Sequence, residues 1–68
     1  MNEETFNMSI RKFLKMVGVR SQTEIERAVA KAVADGRLKG NEAMPARMQL
    51  TIDKLGLTLT LDGEIRLE

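Results

Sequence analysis

The 68-residue chain has no cysteine, no histidine, no tryptophan and no tyrosine. Each absence removes a class of function. Without His and Cys there is no usual general base at neutral pH, no catalytic triad and no zinc cluster. Phe6 and Phe13 are the only aromatic residues, so there is no platform on which bases or sugars could stack. Small secreted domains usually rely on disulfides, so the lack of Cys favours a reducing, intracellular home. No apolar run approaches the roughly 18 residues of a membrane span. The opening MNEETFNMS is acidic and polar, unlike a signal peptide. The expectation is a cytoplasmic protein that does not engage membranes.

What is present is modest in amount. The length suits one domain, residues 1–68. A core of this size leaves little margin over chain entropy, which makes a partner or a dimer contact physically attractive. Net charge is +1, but unevenly placed. Residues 1–40 carry eight Lys/Arg against five Asp/Glu, and residues 41–68 carry three against five. That basic excess is too small to announce nucleic acid by itself.

Two helices are expected in the first half. Over residues 3–17, Phe6, Ile10, Phe13, Leu14 and Val17 fall on one helical stripe. Asn2 or Thr5 can cap it, Glu3 and Glu4 suit the positive end of its dipole, and Gly18 reads as its stop. Ser21 followed by Glu24 forms a capping box, which predicts a second helix over 21–35. Its buried stripe is Ile25, Val29, Ala32 and Val33, and Gly36 suits a left-handed C-terminal cap. Leu38 is expected to tuck under the end of this helix. Gly40-Asn41 and Pro45 mark the loop that follows.

The second half changes period. Met48, Leu50 and Ile52 alternate with polar residues, which predicts a strand over 47–53. A helix also fits Met48, Ile52 and Leu55, but it would turn Leu50 to water. Leu57, Leu59 and Leu61 predict a strand over 57–61, and Ile65 and Leu67 one over 64–68. A two-residue Asp62-Gly63 turn would put Leu59 and Ile65 on opposite faces. A three-residue loop, Leu61-Asp62-Gly63 with a G1 bulge, instead sets Leu59 against Ile65 and Leu57 against Leu67. The connection from Asp53 to Gly56 sets Ile52 against Leu57 and Leu50 against Leu59. The expected fold is α+β: two N-terminal helices packed on one face of a C-terminal three-stranded antiparallel β-meander. The other face, with Thr51, Thr58, Thr60, Glu64 and Arg66, stays wet.

Sites of chemistry are scarce. Ser9 with Lys12 or Lys15 is an ordinary surface pairing, Asp53, Asp62 and Glu64 read as turn acids, and GRLKG reads as a connector. No catalytic residue, metal site or cofactor is expected. Three surface patterns remain. Met8, Lys12 and Met16, flanked by Arg11 and Lys15, form a candidate partner surface of flexible apolar contact with a cationic rim, although the solvated back of a helix looks the same. KFLKMVGVRSQTEIERAV has the outline of a helix-turn-helix in which Arg20, Gln22, Thr23 and Arg27 would face the groove, with the hairpin as a wing. Glu24 stands where an apolar residue is wanted there, and Glu24, Glu26 and Asp35 would repel phosphates. An ordinary two-helix corner is preferred. Finally, the two edge strands leave one side each unpaired, a route to pairing with a second copy.

FNMSIRKFLKMVGVRSQTEIERAV, GRLKG and DGEIRLE together resemble a family of short, uncharacterised bacterial proteins of this length, a domain of unknown function. The resemblance covers essentially the whole chain. It implies a bacterial cytoplasmic source and brings no activity, cofactor or catalytic residue. The expected function is therefore a small non-enzymatic protein-interaction module, self-associating or bound to another protein. The alternative is a winged-helix-like nucleic-acid-binding protein using residues 18–31 as a degenerate helix-turn-helix.

Overall fold

Local capping chemistry sets both ends of the first element. In the computed structural model, which describes residues 1–68, helix α1 spans Glu3–Ala34, 32 residues. Asn2 is its N-cap, its side-chain oxygen accepting the Thr5 N–H at 3.0 Å. Glu3 and Glu4 occupy the first turn, where the exposed N–H groups favour negative charge. At the other end Gly36 takes φ +78°. Its N–H reaches the Val33 carbonyl at 3.1 Å, and the Arg37 N–H reaches the Ala32 carbonyl at 2.9 Å. This pair of bonds is a Schellman cap, and only a residue free of a Cβ enters that conformation cheaply.

The helix does not stop at Gly18, so the two expected helices, 3–17 and 21–35, are one. Gly18 has no positive φ. A glycine inside a helix costs about 1 kcal/mol relative to alanine. A break there would strand four carbonyls on one side and four N–H groups on the other. Continuing costs less than stopping. Ser21 accordingly caps nothing and lies half-buried within α1, while Glu24 pairs with Arg27 one turn on, at 3.4 Å.

The strands are also fewer and longer than the turn signals suggest. β1 spans Ala43–Ile52 and β2 spans Leu57–Arg66, ten residues each, in a two-stranded antiparallel hairpin. The expected strands 57–61 and 64–68 are a single strand, and Asp62-Gly63 is not a turn. Gly63 has no positive φ and pairs with Ala46 in mid-strand, while Asp62 lies opposite Arg47. Leu59 therefore faces Leu50, not Ile65, which faces Met44. The reason is periodicity. Leu57, Leu59, Leu61, Gly63 and Ile65 keep an unbroken spacing of two, so a straight strand already holds them on one face. A bulged turn gains nothing and gives up ladder bonds. Pro45, expected in the loop, lies within β1 opposite Glu64, as a strand at the sheet edge permits.

The connection at Asp53–Gly56 is as the pattern predicts. A short 3-10 turn, Asp53–Leu55, leads to Gly56 at φ +59°, whose N–H returns to the Asp53 carbonyl at 3.0 Å. Ile52 then faces Leu57, Leu50 faces Leu59 and Thr51 faces Thr58. The chain divides into two units, Met1–Arg37 with the helix and Leu38–Glu68 with the hairpin.

Candidate interaction surfaces

The hairpin separates its faces, apart from Ala43 and Pro45 at its open end on the polar side. One face carries Met44, Ala46, Met48, Leu50 and Ile52 on β1 with Leu57, Leu59, Leu61, Gly63 and Ile65 on β2, all in cross-strand register. The other carries Arg47, Gln49, Thr51, Thr58, Thr60, Asp62, Glu64 and Arg66. On the polar face Arg47 Nε donates to Asp62 Oδ1 at 2.7 Å. Both groups are exposed, so the pair serves register more than stability. Leu61 on the apolar face is 56% exposed.

The helix is apolar along one stripe as well. Phe6, Ile10, Phe13, Leu14, Val17, Ile25, Ala28, Val29 and Ala32 fall on one side at about 100° per residue. Phe6 is 48% and Leu14 54% exposed. Ala32 is the one buried residue of the chain.

The expected partner surface lies on the opposite side of α1. Met8, Lys12 and Met16 recur every four residues and so align. Met8 is 69% exposed. Arg11 and Lys15 flank this row. The ion pairs of the chain are Arg27–Glu24, Arg37–Asp35 and Arg47–Asp62, so Arg11, Lys12, Lys15 and Arg20 have no intrachain counter-ion. No acid occurs between residues 5 and 23.

The expected nucleic-acid contacts are not brought to a corner, because α1 has none. Arg20, Thr23 and Arg27 share one side of the uninterrupted helix, and Gln22 points nearly the opposite way, as residues two apart must. Three of the four also have local partners. Gln22 Nε2 donates to Glu26 Oε1 at 2.9 Å, Thr23 Oγ1 donates to the Val19 carbonyl at 3.1 Å, and Arg27 reaches Glu24.

One polar arrangement has no counterpart in the sequence reading. The Glu42 carboxylate accepts three successive backbone N–H groups, from Lys39 at 2.9 Å, Gly40 at 3.0 Å and Asn41 at 3.2 Å. Gly40 makes this possible at φ +105°. The Lys39 bond, then the Gly40 bond, holds this carboxyl below the usual glutamate range. The Glu42 carbonyl also takes the Leu67 N–H at 2.9 Å, tying the open end of the hairpin. Such a ring of donors suits an anion, and here the chain supplies its own. The only hint in the sequence is a glycine two residues before a glutamate, which is too common to single out.

No group of three or more carboxylates gathers where it could hold a metal ion. No helix is long and apolar enough to cross a membrane. Comparison with curated proteins and with solved structures finds no significant match to either. The resemblance to a domain of unknown function is shown at family level: the chain belongs to the family of unknown function DUF6494, whose model matches it over residues 1–68.

Proposed function

We propose that this chain is a small non-enzymatic interaction module that acts by associating with protein, in the first place with further copies of itself. The observation that carries this reading is exposed apolar surface within each unit. On the helix Phe6 is 48% and Leu14 54% exposed, and on the hairpin Leu61 is 56% exposed. The apolar helical stripe and the apolar hairpin face both supply large side chains. A two-stranded hairpin alone is marginal in water, so its face also gains by being covered.

The Met8, Arg11, Lys12, Lys15 and Met16 row lies away from the apolar stripe and stays available to a second, acidic partner. A cytoplasmic setting agrees with the absence of cysteine. Nucleic-acid binding through residues 18–31 needs a turn between two helices, and α1 runs straight through that segment.

Thermal unfolding tests the reading. For a chain whose fold is stabilised by association, the midpoint rises with protein concentration. A midpoint unchanged over a hundredfold dilution would contradict it.

A further inference from the structure

We draw no further inference here: the strongest candidate, the apolar face of the β1–β2 hairpin from Met44 to Ile65, carries nothing beyond the association proposed above, because nothing in the structure shows what covers it.

Discussion

A single methyl group at residue 18 separates two descriptions of the helix. In a continuous α1, Gly18→Ala replaces the weakest helix former with the strongest, and nothing lies within 4 Å of the new Cβ. Stability in chemical denaturation should rise by about 1 kcal/mol. If Gly18 ended a helix in a left-handed conformation, the same change would destabilise. Glu42 offers a second test at this scale. Its carboxyl is held below the usual range by backbone donors, so the folded state favours the charged form. That contribution is complete above the unfolded glutamate value and is lost as pH falls through the lower folded one. An NMR titration should place the Glu42 midpoint below the usual glutamate range. Glu42→Gln should flatten the acid-side dependence of stability. A midpoint within the ordinary range would show that the Lys39–Asn41 donors do not converge on it.

At the scale of elements, what the sequence revealed is what periodicity and true caps encode. Asn2, Gly36 and the Asp53–Gly56 connection sit where their chemistry predicts, and the pairing of Leu50 with Leu59 follows from alternation alone. The failures share a cause. Ser21 with Glu24 and Asp62 with Gly63 are local signals that an element interior also tolerates, and in both places continuity saved more backbone bonds than a break would. For the strand the tie-breaker was on view, since the alternation from Leu57 to Ile65 never changes phase. The candidate surfaces were legible only in part. The Met8–Met16 row aligns by its spacing of four, whereas the hairpin's single apolar face from Met44 to Ile65 required the two C-terminal strands to be recognised as one. Two measurements follow. Cross-strand NOEs should connect Leu59 with Leu50 and Ile65 with Met44, and a Leu59–Ile65 cross-peak in their place would restore the bulged turn. Gly63→Val should stabilise the hairpin by up to about 1 kcal/mol, since it fills a gap on a strand face. A turn glycine would give the opposite sign.

For the whole molecule the governing quantity is uncovered apolar surface. The helix and the hairpin each carry one apolar side, and Ala32 alone is buried. A chain this short has little stability to spare, so the proposed association, by covering those sides, would also stabilise the fold. Sedimentation equilibrium of the full chain across the micromolar range tests this most directly. The expected mass is twice 7.6 kDa, falling toward that of one chain only at the lowest concentrations. A mass of 7.6 kDa throughout, with cooperative unfolding of that monomer, would contradict it.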